Sequence, residues 1–221
     1  MLITWVQVSH WKNSITIFKH AVSMADNKYP GLARTHSNLG LALQKEGRLN
    51  EAVTQFKTAI KINPSDPEAY INIGNILSGL NTDEAIDYYK EAIRIRPNYA
   101  LAYNNLGKAL VQKGELKKGV GYYKEAIKIK PNFAPAYYNL GNFLLAEQKE
   151  TEEAISNYKM AIKFKPDFAE AHNNLGNALV QKGKMKEAIV HYRETLGLKP
   201  DLISVQKNLK MTILRAEVME N

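Results

Sequence analysis

The 221-residue chain is 45% hydrophobic and 24% charged, with a net charge of +8 and no cysteine. It is long enough to bury a core, and the lack of thiols excludes disulfides and thiolate metal sites. The positive balance does not mark a nucleic-acid face. Cations gather just before recurring prolines (Lys61, Arg94, Arg96, Lys128, Lys130, Lys163, Lys165, Lys199), and acids lie earlier in the same segments (Glu51, Asp83, Glu84, Glu115, Glu152, Glu153, Glu187). Helix dipoles favour that order.

In chain order, the apolar run from Leu2 to Val8 is far shorter than a membrane span needs, and it lacks the layout of a secretory signal. Trp11 to Met24 then predicts one amphipathic helix, with Ile15, Phe18, Ala21 and Val22 at helical spacing. We read residues 1–32 as this helix, the second half of a partial repeat.

From there a period governs the chain. Gly40, Gly74, Gly107, Gly141 and Gly176 recur at intervals of 34, 33, 34 and 35, and Pro64, Pro97, Pro131, Pro166 and Pro200 at 33, 34, 35 and 34. Two residue types sharing a period near 34 predict stacked helix-turn-helix units, five in all: 33–66, 67–99, 100–133, 134–168 and 169–202. With Ala100 as position 1 of the third unit, apolar or small residues at positions 3, 4, 7, 8, 10 and 11 share one face of a first helix. Gly114 ends it, and a second helix runs from about Leu116 to Ile129. Asn50, Thr82 and Thr151 are expected to cap second helices, and Asp66 with Pro67 to open a first helix. Gly119 and Gly121 should make the second helix of unit three the softest, at about 1 kcal/mol per glycine relative to alanine. Thr195 stands where other units have alanine, as expected if only a terminal cap packs there. Unit two is one residue short near Ser78–Thr82, and unit four one residue long near Gln148–Thr151. Residues 203–221 predict a last amphipathic helix, with Val205, Leu209 and Ile213, that caps the stack.

These residues resemble the tetratricopeptide repeat. Position 4 is aromatic or His (His36, Tyr70, Tyr103, Tyr137, His172) and position 8 is glycine. Alanine near 20 (Ala52, Ala85, Ala154, Ala188) precedes an aromatic (Phe56, Tyr89, Tyr123, Tyr158, Tyr192), and alanine near 27 (Ala59, Ala92, Ala126, Ala161) precedes the proline. The resemblance implies an all-α fold, a right-handed superhelix of antiparallel helix pairs (an α-solenoid), which binds protein or peptide rather than catalysing a reaction. Trp11, Ser14, Phe18 and Ala21 also resemble the helix that opens the repeat array in membrane-embedded protein O-glycosyltransferases. That resemblance implies a soluble tail of a longer enzyme, with any membrane attachment through a segment upstream of residue 1.

On the first helix, positions 2, 5, 6, 9 and 13 fall opposite the core stripe, and stacking would join these arcs into one concave groove. Position 6 is always asparagine: Asn38, Asn72, Asn105, Asn139 and Asn174. Asparagine is a mediocre helix former, and its amide both donates and accepts, so a regular row of amides could pair with the main chain of an extended peptide. The tetratricopeptide part of O-GlcNAc transferases uses such a ladder, and this array resembles it at those positions. Position 9 adds Asn75, Lys108, Asn142 and Asn177, and position 5 adds Asn104 and Asn173, as candidate side-chain contacts. The competing reading is that the asparagines bond across to neighbouring helices.

No catalytic constellation, metal site or cofactor motif stands out. His36 and His172 replace position-4 aromatics, which predicts interhelical packing, and no phosphate-binding glycine loop occurs. The sequence therefore predicts a scaffold for an extended peptide or protein partner, with no nucleic acid and no cofactor. The alternatives are the substrate-recognition tail of a membrane glycosyltransferase, or a module that self-associates weakly through its solenoid ends. The compartment is cytoplasmic by default and extracytoplasmic for the glycosyltransferase tail.

Overall fold

The computed structural model describes residues 14–24, 31–147 and 151–220. Leu2 to Val8, Trp5, His10, Trp11 and the extra residue of unit four lie outside them. Every described element is a helix, and the chain divides into two compact units, residues 1–113 and 114–221.

The first unit holds α1 (Ser14–Met24), α2 (Leu32–Lys45), α3 (Leu49–Ile62), α4 (Pro67–Leu77), α5 (Thr82–Ile95) and α6 (Ala100–Gln112). The second holds α7 (Leu116–Ile129), α8 (Ala134–Ala146), α9 (Thr151–Phe164), α10 (Ala169–Gln181), α11 (Met185–Leu198) and α12 (Ile203–Glu220). Within each unit every helix packs on the one before and the one after it. This is an all-α solenoid of paired antiparallel helices, each pair burying its apolar face against its neighbours. In the first unit Ile15 of α1 joins Leu39, Leu43, Phe56, Ile73 and Ile76 in one core, with Phe18 and Val22 packed against it. Ala21, expected on the same face, is exposed.

Close approach of the two helices in a pair sets the position-8 glycine. A Cβ on Gly40 would lie 2.7 Å from the Phe56 ring; on Gly74, 2.5 Å from Tyr89; on Gly141, 2.8 Å from Tyr158; and on Gly176, 2.7 Å from Tyr192. The aromatic thus lies flat across the glycine, and the alanines at 20 and 27 are fully buried beside it in most pairs. Thr195 is as buried as the alanines it replaces. Its hydroxyl lies 2.9 Å from the carbonyl of His191 and 3.4 Å from that of Ala169, so its polar group is answered within a packed interior, and α12, the expected cap, packs on α11.

The turns follow the local sequence. Gly47 and Gly183 adopt φ of +75° and +72°, and Arg48 and Lys184 donate back to the carbonyls of Leu43 and Leu179 at 2.9 Å. This is the Schellman closure that left-handed glycine permits. In the shortened turn Asn81 accepts from the Glu84 amide and caps α5, and Asp66 with Pro67 opens α4. Asn50 and Thr82 lie one residue or more inside their helices, so they are not the caps the sequence suggested: Arg48 and Asn81 are. What precedes Thr151 lies outside the described residues.

Candidate functional site: a bonded row of asparagines

Position 4 turns out to be structural. His36 Nδ1 lies 2.8 Å from Gln55 Oε1. Tyr137 donates to the carbonyl of Pro131, and His172 Nε2 to that of Pro166, both at 3.1 Å. Each ties a first helix to the end of the preceding pair. His172 Nδ1 meets His191 Nδ1 at 3.1 Å. Burial, and then the neighbouring His172, push the His191 pKa below its usual value, so the folded chain holds His191 neutral.

Position 2 is also engaged. Glu68 forms a two-pronged pair with Arg96, and Glu170 pairs with Lys199, in each case the cation just before the closing proline. The Lys199 ammonium holds the Glu170 carboxyl below its usual range. Position 2 clamps the base of its own hairpin in these repeats.

Position 5 corrects the expectation of an open arc. Ile71 and Asn104 are buried, at 2% and 5% exposure, and Ser37 Oγ and Asn173 Oδ1 are buried without a partner. Small residues at positions 3 and 8 let the helices approach until this flank is covered. Asn104, proposed from sequence as a ligand contact, instead donates to Asn105 Oδ1 at 3.1 Å, and Asn173 likewise to Asn174 Oδ1 at 3.0 Å.

Positions 6 and 9 remain, and they are wired together in the same way in both units. Asn105 donates to Asn75 Oδ1 at 2.8 Å, and Tyr89 donates to the same oxygen at 3.0 Å. In the second unit Asn174 and Tyr158 converge on Asn142 Oδ1 at 2.8 and 2.9 Å. Asn174 also donates to the Tyr138 hydroxyl at 3.4 Å. Asn105 and Asn174 thus bridge to the first helix of the preceding repeat, as the competing sequence reading held for the row, and they do so from half-exposed positions. Burial pushes the Tyr89 pKa up to about 12 and raises that of Tyr158 further, so both phenols stay protonated donors. Each position-9 carbonyl oxygen therefore faces inward with two donors on it, and its NH₂ faces the open side with no acceptor among the described residues. Asn38 and Asn72 are half-exposed without such a bridge; Asn139 is half-exposed too.

In repeats two, four and five the second-helix tyrosine goes with asparagine at position 9, whereas repeat three carries Tyr123 with Lys108. Where the second helix carries Phe56, which has no hydroxyl, position 9 is Leu41. In the first unit a cavity of about 160 Å³ is lined by Asn75, Ser78, Tyr89, Asn105, Lys108, Ala109 and Gln112, with Lys108 exposed.

The sequence reading missed one member of the row. Asn208 lies 34 residues after Asn174, and it donates to Asn177 Oδ1 at 3.4 Å, where Tyr192 also donates at 2.7 Å. The spacing was available, but α12 was read only as a cap because no glycine marks its position 8, which is Lys210.

Among the described residues no three His, Cys, Asp or Glu side chains gather as a metal site, and no helix is long and apolar enough to cross a membrane.

The sequence profile of the TPR repeat matches residues 40–80, 81–114, 107–146 and 144–183, and that of the tetratricopeptide repeat matches 169–202. A protein O-mannosyl-transferase, Tmtc3 of Drosophila melanogaster, is 30% identical over 70 residues, which is 32% of this chain and 7% of that protein. Among solved structures, the thermophilic TPR protein TTC0263 of Thermus thermophilus is 25% identical with a TM-score of 0.67, covering 82% of this chain and 99% of that one. MamA is 25% identical with a TM-score of 0.59, over 73% and 95%. YrrB, described as a TPR protein with an unusual peptide-binding site, is 22% identical with a TM-score of 0.56, over 87% and 97%, and shares the fold.

Proposed function

Because the chain belongs to the tetratricopeptide repeat family, whose proteins generically serve as protein- and peptide-binding scaffolds, we propose that it holds an extended polypeptide along the amide-bearing faces of its first helices. One observation carries this reading. Asn75 in the first unit, and Asn142 and Asn177 in the second, each have the amide oxygen engaged by a tyrosine, which leaves the NH₂ as an open donor. Donors repeated along a helix stack suit the carbonyl oxygens of a peptide main chain, which recur whatever the sequence. Variation around them (Lys108 in one repeat, Tyr138 in another) supplies side-chain preference.

The test uses an array of immobilised dodecapeptides, followed by fluorescence polarisation with a retained peptide. Asn75→Asp and Asn142→Asp keep the inward acceptor for the tyrosine and the next asparagine but remove the outward donors. Each should weaken binding several-fold, since a hydrogen bond contributes about 0.5–1.5 kcal/mol. Main-chain ester analogues of the peptide should also bind less tightly. Retention of no peptide, or indifference to both changes, would overturn the reading.

A second reading draws on the 70-residue match to the Drosophila O-mannosyl-transferase: the same faces would present acceptor polypeptide to a catalytic part beyond this chain. Of the motif that suggested it, Trp11 lies outside the described residues, while Ser14, Phe18 and Ala21 lie in α1, Phe18 packed against the core and Ala21 exposed. Coding sequence upstream of Met1 that specifies several spanning segments would support it, and a stop codon there would end it.

A further inference from the structure

Three features place α12 in register as the first helix of a sixth repeat. Gln206 donates to the Pro200 carbonyl at 2.9 Å, as Tyr137 and His172 do to Pro131 and Pro166. Val205 and Thr212 are buried, at 3% each, at positions 3 and 10, where repeat five has Ala171 and Ala178, also buried. Asn208 adds its amide to the row at Asn177.

Beside that amide, at position 9 and beyond, the chemistry changes. Met211, Leu214 and Val218 are exposed at 52%, 47% and 76%. With Met185 of α11 and the stem of Arg215 they line an apolar cavity of about 310 Å³. Met211 is one turn from Asn208, a separation of about 5–6 Å between side-chain origins, or one to two residues of extended chain at ~3.3 Å each.

Resting on the proposed main-chain grip, we infer that α12 is a sixth contact rung and that the cavity beside it takes one bulky apolar side chain of the bound polypeptide. The amide row says what reaches the cavity. A chain held by its carbonyls at Asn142 of α8 and Asn177 of α10 and continuing across α12 places alternate side chains toward the helices, and here the facing wall is apolar, with Met211 at the position where those two repeats offer asparagine. Methionine also lets the wall adapt to side chains of different shape.

A positional-scanning array of dodecapeptides tests this on the full chain. Wild type should select Leu, Ile, Met or Phe at one fixed position. Leu214→Glu, a change at a half-exposed site that leaves the core intact, should erase that selection and weaken a selected peptide at least about tenfold. Asn208→Ala should weaken binding of all retained peptides by a similar smaller factor, without altering the selection. If Leu214→Glu leaves both selection and affinity unchanged while Asn142→Asp still weakens binding, this inference falls and the scaffold reading stands. If wild type retains no peptide, both fall. Light scattering across a concentration series gives the remaining outcome: an oligomer that Leu214→Glu converts to a monomer would assign the cavity to a second copy and overturn the inference.

Discussion

Replacing Gly176 with alanine tests the contact on which each helix pair is built. The added Cβ would sit 2.7 Å from the Tyr192 ring, about an ångström inside the ~3.5–4.0 Å of an ordinary carbon contact. The ring cannot swing aside, since Tyr192 is 2% exposed and its hydroxyl is fixed at 2.7 Å to Asn177. Overpacking of this kind costs about 1–3 kcal/mol, and with the ring anchored the upper part of that range applies. The alanine's better helix propensity offsets about 1 kcal/mol, so Gly176→Ala should destabilise by about 1–2 kcal/mol. Gly121 is the control. It also lies inside a helix, but a Cβ there would meet nothing within 4 Å. Gly121→Ala should therefore stabilise by up to about 1 kcal/mol. Urea unfolding followed by circular dichroism at 222 nm reads both. Changes of the same sign in the two variants would show that propensity, not the aromatic contact, decides glycine at position 8.

Three further outcomes follow from the same geometry. Asn142→Leu should cost about 1–3 kcal/mol because it strands the buried Tyr158 hydroxyl, and adding Tyr158→Phe should recover at least about 1 kcal/mol by recreating the Leu41 and Phe56 pairing; a double-mutant cycle with no coupling would refute the shared network. His191 has a folded-state pKa below its unfolded value near 6.5, so the neutral form is preferred in the fold. Its contribution to stability is complete above that pH and lost as pH falls through the folded-state value; melting scans from pH 8 to 5 should show the loss, and His191→Gln should flatten it. Glu68→Gln should shift stability by less than about 0.5 kcal/mol, since the exposed Arg96 pair is weak in water, and a larger drop in urea midpoint would mean the clamp is structural.

The repeat architecture was legible because its marks are steric and periodic. Glycine against an aromatic ring and small residues between helices each recur near one period, because larger side chains would clash there. The asparagine row was legible as a row, but not in its direction. From sequence, Asn104 and Asn105 look alike on one helix surface. Only packing distinguishes the first, sealed under the neighbouring helix, from the second, which bridges to Asn75. Helix caps were misplaced for a related reason: Asn50 and Thr82 have capping side chains, yet the turn geometry set by Gly47 and by Leu80–Asn81 starts each helix earlier. Lys210 hid the sixth rung. A lysine is admissible at position 8 of α12 because no described aromatic crosses it, so the strongest periodic mark vanishes where the packing that required it does.

The proposed grip gives one network two roles, and this governs how binding can be tested at all. Removing Asn105 would deprive the buried Asn104 amide of its acceptor and break the bridge to Asn75, so a loss of affinity in Asn105→Ala would mix recognition with a loosened repeat interface. Aspartate at position 9 separates the roles. It keeps the inward oxygen that tyrosine and the next asparagine require and puts a carboxylate oxygen in place of the outward hydrogens, so the donor is lost and a charge that repels peptide carbonyls is added. A variant that melts like wild type and no longer holds peptide would place recognition on that NH₂ edge; a variant that loses both together would mean the row exists to bind one repeat to the next.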